Sequence, residues 1–319
     1  MAVEGRPVGA VLDALNAYRG GAPAWRRNWA RIVLTSPELL YGAELAADPG
    51  QERLLLRLPD GRMTERTIRA TRPGDDEPSP TPTRWLAPAA APKEPPGWRP
   101  LLSPQARLPL ALRDGARVFR VAWVDDGCII FLQMKANQDE DGQSIAAFQA
   151  QVRAALRARP ACGAIVDLRF NGGGDYTLAA GLAHDLPRLV KGRIVLLTGV
   201  DTFSAGITTA GFIKQAGGTR VTIVGQPVGD RLDFWSEGEQ GCLPHAKLCV
   251  HYATGRHRYD GPCDDWRTCY WLNWLFPVRV RSLDPDIPVS PSFADYVALR
   301  DPAFERAMAV ASGPVRAGP

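Results

Sequence analysis

The stretch Ala164-Ile165-Val166-Asp167-Leu168-Arg169-Phe170-Asn171-Gly172-Gly173-Gly174-Asp175 joins a short apolar run to a glycine-rich loop. The run 164–168 is typical of a strand that is buried on both faces, as in a parallel sheet. Consecutive glycines let the backbone approach a ligand closely and point its amides at it. A helix near 177–189 and a strand at 194–197 follow, so the stretch predicts one β-α-β unit.

The same alternation continues on both sides of this stretch. Upstream, 118–124 and 128–134 predict a hairpin, and a helix is expected from about Ser144 until Pro160 stops it. Downstream, a loop leads into a helix at Ser204 and then into a strand at 221–224. Repeated units of this kind predict an α/β fold with a largely parallel sheet, spanning residues 115–312.

Residues 1–72 predict a smaller α+β region. Pro7 suits the start of a helix, and the turn Pro59-Asp60-Gly61 lies between two runs that form a hairpin pattern. Between them and the α/β region, 73–114 is rich in proline, with 11 of the 28 prolines at 73–109. This composition predicts a linker or an extended strap.

Composition excludes two function classes. Hydrophobic residues make up 45% of the 319 positions and the net charge is only +4, with basic and acidic residues mixed. We expect a globular chain that lacks the basic surface patch of nucleic-acid-binding proteins. No run approaches 18 consecutive apolar residues, so no membrane span is expected.

Four of the six cysteines crowd into an insertion at 240–272. Two short-range disulfides, Cys242–Cys249 and Cys263–Cys269, would staple this insertion and indicate an oxidising compartment.

Two alternatives stay open for these cysteines. One is a zinc site that includes His245 or His251, although C-x6-C and C-x5-C exceed the usual zinc spacing. The other is free thiols. The remaining two, Cys128 and Cys162, lie in apolar contexts and are predicted to be buried without a functional role.

A hydroxyl stands at the start of the helix in Asp201-Thr202-Phe203-Ser204-Ala205-Gly206. A serine there is most often a helix cap. The glycine loop alone could bind phosphate or be a simple turn, and it fits neither common nucleotide-binding pattern. Together, however, the two loops match acyl-transfer chemistry, which needs a nucleophile and two amides that converge on a developing oxyanion.

Four segments resemble the tail-specific (C-terminal-processing) serine peptidases, and they occur in the family's order. The stretch 167–174 resembles D-L-R-x-N-x-G-G, and 202–206 resembles the S-A-[SG] nucleophile turn. The stretch 224–231 resembles V-G-E-P-T-F-G-K. Finally, 283–289 resembles V-x-P-D-I-x-V and is followed by R-D-P at 300–302.

The resemblance implies a crotonase-like (ClpP-like) core in a serine hydrolase that cleaves peptide bonds. It makes Ser204 the nucleophile and the amides of Ala205 and Gly173 the oxyanion hole. It implies a peptide or protein substrate, no metal or organic cofactor, and a periplasmic or secreted location. The stretch 3–8 resembles the family's I-N-G-x-P-V. Residues 1–72 would then be a truncated PDZ-like or substrate-side part, with further sequence upstream of residue 1.

One position departs from the family pattern. Arg231 stands where the best-known members have a lysine general base, and arginine stays protonated at any usable pH. The departure favours the tricorn-core/retinoid-binding-like branch over the Ser–Lys branch. Three interpretations follow: His251 is the base, the base lies upstream, or the chain is a silent peptide- or lipophile-binding module. Arg231 could contact a substrate carboxylate, or pair with Asp230 or Asp233.

Overall fold

Residues 1–58, 60–70, 86, 101–103, 105–125, 127–245 and 248–313 are described by a computed structural model. The chain divides into two units, Met1–Ser79 and Pro80–Pro319. Much of the proline-rich strap predicted at 73–114, namely 73–85, 87–100 and 104, lies outside the described residues.

The first unit combines a small antiparallel sheet with three helices. Its strands, in the order β2-β1-β3-β4, are β1 (Ala2–Val3), β2 (Arg6–Pro7), β3 (Gln51–Arg57) and β4 (Met63–Arg69). Its helices are α1 (Val8–Leu15), α2 (Pro23–Val33) and α3 (Pro37–Gly42). The helix after Pro7 and the hairpin β3–β4 are as the sequence predicts. Proline stands at the first position of α2 and α3, where its missing N–H has no helical partner to lose.

A carboxyl group is buried in the core of this unit. Glu52 on β3 is 0% exposed, and neither of its carboxyl oxygens has a hydrogen-bond partner among the described residues. Burial, and then the charge of Glu4, raise the pKa of Glu52 to about 7. Since unfolding lowers this pKa to its ordinary value, the folded unit is most stable when Glu52 is protonated.

Glu52→Gln is therefore expected to stabilise the first unit at pH 8 by about 3 kcal/mol. The wild type loses this stability as pH rises from the ordinary pKa of glutamate through about 7. At pH 4 the substitution should therefore have little effect. Hydrogen exchange of the β3 amides in the full chain measures the difference. Glu65→Gln, on an exposed position of β4, is the control. Equal β3 protection in Glu52→Gln and wild type at pH 8 would contradict the prediction.

The second unit is built on a six-stranded mixed sheet in the order β12-β9-β8-β7-β6-β5. Its strands are β5 (Phe119–Val124), β6 (Ile129–Met134), β7 (Gly163–Asp167), β8 (Arg193–Thr198), β9 (Val221–Gly225) and β12 (Ile287–Pro288). Only the β5–β6 pairing is antiparallel; the other four are parallel. The α/β fold with a largely parallel sheet is thus confirmed.

Helices cover both faces of this sheet. The described helices of this unit are α4 (Ile145–Ala158), α5 (Tyr176–Leu189), α6 (Ala205–Gly217), α7 (Leu272–Leu275), α8 (Phe293–Val297) and α9 (Pro302–Ala311). Apolar residues of α4, α5 and α6 pack on one face, and alanines of α9 pack on the other. Strands β10 (Asp233–Leu243) and β11 (Leu248–Arg258) form a separate antiparallel ribbon. No helix within the described ranges is both long and apolar enough to cross a membrane.

All six cysteines form disulfides. The pairs Cys242–Cys249 and Cys263–Cys269 are those that the sequence predicts. The prediction for Cys128 and Cys162 was wrong, because these two are exposed and bonded to each other. They come together because Cys128 and Cys162 precede β6 and β7, which run side by side in parallel.

Candidate active site

Ser204 lies at the turn between β8 and α6. Its backbone has φ 49° and ψ −123°, a conformation that costs a non-glycine residue ~1–3 kcal/mol. A serine at this position usually caps the helix, but the Ser204 side chain makes no capping bond and no hydrogen bond to any described residue. A strained strand-to-helix turn that leaves a hydroxyl unbonded is the way α/β hydrolases present a nucleophile.

The glycine loop after β7 touches this turn. A Cβ added to Gly173, whose φ is +123°, would lie 2.8 Å from the Ser204 Cβ and 3.2 Å from its Oγ. The same atom would be 3.5 Å from the Ala205 amide nitrogen. The contact follows from the topology, because the carboxyl ends of adjacent parallel strands lie at one edge of the sheet.

Two asparagines hold the loop against the turn. The carbonyl of Asn171 accepts a hydrogen bond of 2.9 Å from the amide of Phe203, the residue before Ser204. Asn137 follows β6, and its backbone N–H donates a hydrogen bond to the Gly173 carbonyl at 2.7 Å. Its side-chain nitrogen donates to the hydroxyl of Thr209 on α6 at 2.8 Å. Sequence reasoning missed Asn137, and its one signal was an amide side chain in the loop three residues after the end of β6.

The two amides predicted to form an oxyanion hole differ in their present partners. No described residue accepts a hydrogen bond from the Ala205 amide, which starts α6 and carries the positive end of the helix dipole. The Gly173 amide donates to the Asn171 side-chain oxygen at 3.1 Å. An oxyanion placed between them would be bound by Ala205 at once, whereas Gly173 would first have to exchange its partner.

A buried ion cluster anchors the start of the glycine loop. The Arg169 guanidinium binds Asp167 at 2.8 and 2.9 Å, and Asp301 at 2.8 and 2.9 Å. The Asp167 side chain is 0% exposed, and its charge and hydrogen bonds help to raise the pKa of Arg169 despite burial. Because Asp301 also caps α9, this cluster joins the two segments that carry the D-L-R and R-D-P patterns.

The segment 224–231, which carries Arg231 in place of the family's lysine, also lies beside the Ser204 turn. The Gly229 amide donates to the Thr202 carbonyl at 2.8 Å. Two residues further on, Arg231 is exposed, and its side chain forms no ion pair in the described part of the chain. Asp233 pairs with Arg256 instead, and burial raises the pKa of Asp230.

The structure brings Ser204, Ala205 and Gly173 together and leaves His251 apart from them. His251 lies on β11 opposite Gln240, and its side chain is exposed. Among the described residues no histidine bonds to the Ser204 hydroxyl. The described residues also hold no cluster of three or more histidine, cysteine, aspartate or glutamate side chains that could bind a metal.

No family model and no curated protein matches the chain. Three solved structures show limited similarity to it. A candidate peptidase from Parabacteroides merdae has 15% identity and a TM-score of 0.38, over 61% of this chain and 65% of its own. The photosystem II D1 C-terminal processing protease has 12% identity and a TM-score of 0.37, over 80% of this chain and 60% of its own. A candidate S41 protease from Bacteroides fragilis has 13% identity and a TM-score of 0.35, over 84% of this chain and 69% of its own.

The chain thus spans 60% to 69% of the length of these structures. At such identities and TM-scores the similarity assigns neither a family nor an activity to the chain. Its activity, substrate and location are therefore matters of proposal.

Proposed function

We propose that the chain is a serine hydrolase that cleaves peptide bonds, of the tail-specific peptidase type on a crotonase-like core. The observation that carries the proposal is the strained Ser204 turn, which presents an unbonded hydroxyl against Gly173. In the proposed reaction Ser204 attacks the substrate carbonyl. The carbonyl electrons move onto oxygen, where the amides of Ala205 and Gly173 stabilise the oxyanion, and the serine proton passes to a general base. The base then gives this proton to the leaving amine as the C–N bond breaks, and water hydrolyses the acyl-enzyme.

The substrate's position is part of the same proposal. Arg231 is exposed, has no ion-pair partner in the described ranges, and is carried by the segment whose Gly229 binds Thr202. A guanidinium so placed suits a substrate carboxylate, such as a chain terminus. Three disulfides support a periplasmic or secreted location.

The proposal leaves the general base unassigned. His251, the first candidate by sequence, is exposed and has no hydrogen bond to Ser204. Catalytic hydrogen bonds often tighten only when substrate binds, so this geometry does not by itself eliminate a candidate. A second function, a silent module that binds peptides or lipophiles at the same site, is favoured because no described residue bonds to the serine hydroxyl.

A fluorophosphonate probe separates the two functions. We expect the wild type to gain one label, mapped to the peptide that contains Ser204, and Ser204→Ala to gain none. Ser282→Ala, on an exposed loop position, should be labelled like the wild type. A folded wild type that takes no label would contradict the hydrolase and favour the binding module.

A further inference from the structure

His257 is a titratable ring on the inner face of the β10–β11 ribbon. It is 2% exposed, and its ring stacks on Phe234 with centroids 4.9 Å apart and planes 8° from parallel. The ring edge of Tyr176 also packs against it, at 5.9 Å. Both ring nitrogens need a partner in such a place, because a buried polar atom without one is costly.

The protonation of one nitrogen follows from its neighbours. The Asn273 side-chain nitrogen donates to the Arg256 carbonyl at 3.1 Å, so the Asn273 oxygen faces the His257 Nδ1, also at 3.1 Å. That oxygen already accepts a hydrogen bond from the Tyr176 hydroxyl. Since an amide oxygen can only accept, this contact favours a hydrogen on Nδ1. The Tyr259 hydroxyl, 3.2 Å from Nδ1, then accepts from the same hydrogen and donates to Thr208.

The other nitrogen faces a carboxylate. Glu237 Oε1 lies 3.4 Å from the His257 Nε2, which is within ion-pair distance, and Nε2 has no hydrogen-bond partner among the described residues. A bare Nε2 would turn its lone pair toward a negative oxygen, which is unfavourable for a buried atom. A proton on Nε2 (the shared proton) is attracted by both groups and removes this repulsion.

The backbone of the ribbon is shaped to bring Glu237 to this position. Glu237 has φ 46°, and the ladder of paired residues passes from Ser236 to Gly238 without it. Its side chain lies over Gly255, where an added Cβ would come within 3.0 Å of the Glu237 Cγ. Strain of this kind persists only where the surroundings enforce it and is frequent at functional sites.

Hydrogen bonds connect the pair to both halves of the candidate active site. On one side, the Tyr259 hydroxyl lies 3.2 Å from the His257 Nδ1 and 2.7 Å from the hydroxyl of Thr208. Thr208 is one helical turn from Ser204, and its amide bonds to the Ser204 carbonyl. On the other side, Asn273 binds Tyr176, the first residue of α5, three residues after Gly173.

The titratable groups that face the pair come from three elements. They are Tyr176 and Asp175 at the start of α5, Tyr259 directly after β11, and Tyr270 before α7. Burial raises the pKa of all three tyrosines, so they stay neutral hydrogen-bond donors. The carboxylate that faces the ring is that of Glu237, whereas the charge of Asp175 acts on Tyr176 and Tyr270.

We propose that the buried His257 imidazolium and the partly exposed Glu237 carboxylate form an ion pair that positions the Ser204 turn against the glycine loop. His257 is a positioning residue here, because it acts through Tyr259 and Thr208 on one side and Asn273 on the other. The shared proton makes this positioning dependent on pH. The positioning role rests on the proposed hydrolase function, whereas the shared proton does not.

The ring's charge is tested first, without reference to activity. In ¹⁵N-histidine-labelled protein at pH 7, the His257 ring, assigned by its absence in His257→Gln, should show both nitrogens protonated. In Glu237→Gln it should carry a hydrogen on Nδ1 alone. Glu239→Gln, an exposed position two residues along β10, should leave the wild-type spectrum unchanged. A singly protonated ring in the wild type would overturn the pair.

The positioning role is tested by the rate of fluorophosphonate labelling across pH. Glu237→Gln is expected to slow labelling of Ser204 about 10–100-fold and to remove an inflection from the wild-type pH profile. Tyr259→Phe, which cuts the link to Thr208, should slow labelling while the ring keeps its charge. Glu239→Gln should stay within about twofold of wild type.

An unchanged rate and profile in folded Glu237→Gln would overturn the positioning role while the hydrolase stands. A wild type that takes no label at Ser204 would defeat the hydrolase and the positioning role together. In that case the ¹⁵N spectrum of the His257 ring still shows whether Nε2 carries the shared proton.

Discussion

Gly173→Ala is expected to slow the reaction of Ser204 by about 10²–10³-fold, the usual effect of losing one oxyanion donor. The new methyl group would lie 2.8 Å from the Ser204 Cβ and 3.5 Å from the Ala205 nitrogen. It would therefore occupy the space between Ser204 and the Ala205 amide, where the proposed oxyanion would form. The φ of +123° also strains any residue with a Cβ, so the amide itself would be displaced.

The neighbouring glycine is a matched control for this substitution. A Cβ added to Gly172 meets no atom within 4 Å, and its φ lies outside the left-handed region. Gly172→Ala should therefore label at Ser204 within about twofold of the wild-type rate. Second-order rate constants with the fluorophosphonate probe, measured well below the melting temperature of each variant, make the comparison. Similar rates for Gly173→Ala and Gly172→Ala would show that Gly173 does not border the reacting atoms.

The sheet and the meeting of the two loops could be predicted from sequence, since both follow from local patterns. Apolar runs at 164–168 and 194–197 mark buried strands, and parallel strands put their following loops at one edge. Cys128 and Cys162 could not be paired in this way. Their bond joins residues that precede two strands far apart in sequence, so it depends on the register between β6 and β7.

The two histidines of β11 show the same limit. Both His251 and His257 stand at odd positions, so the alternation of a strand gives them the same face. What separates them is distance along the ribbon, about 20 Å over six residues. Among the described residues, the part that holds His257 contacts α6 through Tyr259 and Thr208. Alternation predicts a face, whereas burial depends on where the partner helix ends.

The left-handed backbone of Ser204 was equally beyond sequence reasoning. Serine at a helix start ordinarily predicts a cap, and the positive φ is imposed by neighbours distant in sequence. Asn171 binds the Phe203 amide, and an added Cβ on Gly206 would lie 2.6 Å from the Asn171 carbonyl oxygen. The tight contact between the two loops therefore enforces the turn that the proposed function needs.

Arg169→Leu is expected to lower the free energy of unfolding of the second unit by about 3–5 kcal/mol. The substitution removes four charge-assisted hydrogen bonds and leaves the carboxylates of Asp167 and Asp301 without a counter-charge. Asp167 is 0% exposed, so water cannot replace the guanidinium. Chemical denaturation at pH 7, followed by hydrogen exchange of the β7 amides, measures the loss.

An exposed ion pair nearby shows what a simple loss of charge does. Arg300 pairs with Glu305 at 2.7 Å but is 56% exposed, so Arg300→Leu should cost at most about 1 kcal/mol. Adding Asp167→Asn and Asp301→Asn to Arg169→Leu should recover part of the stability, because the repelling charges disappear. If Arg169→Leu is no more harmful than Arg300→Leu, the cluster does not hold β7 and α9 together. If it is harmful and the added asparagines recover nothing, the guanidinium stabilises the loop through its hydrogen bonds, and charge is secondary.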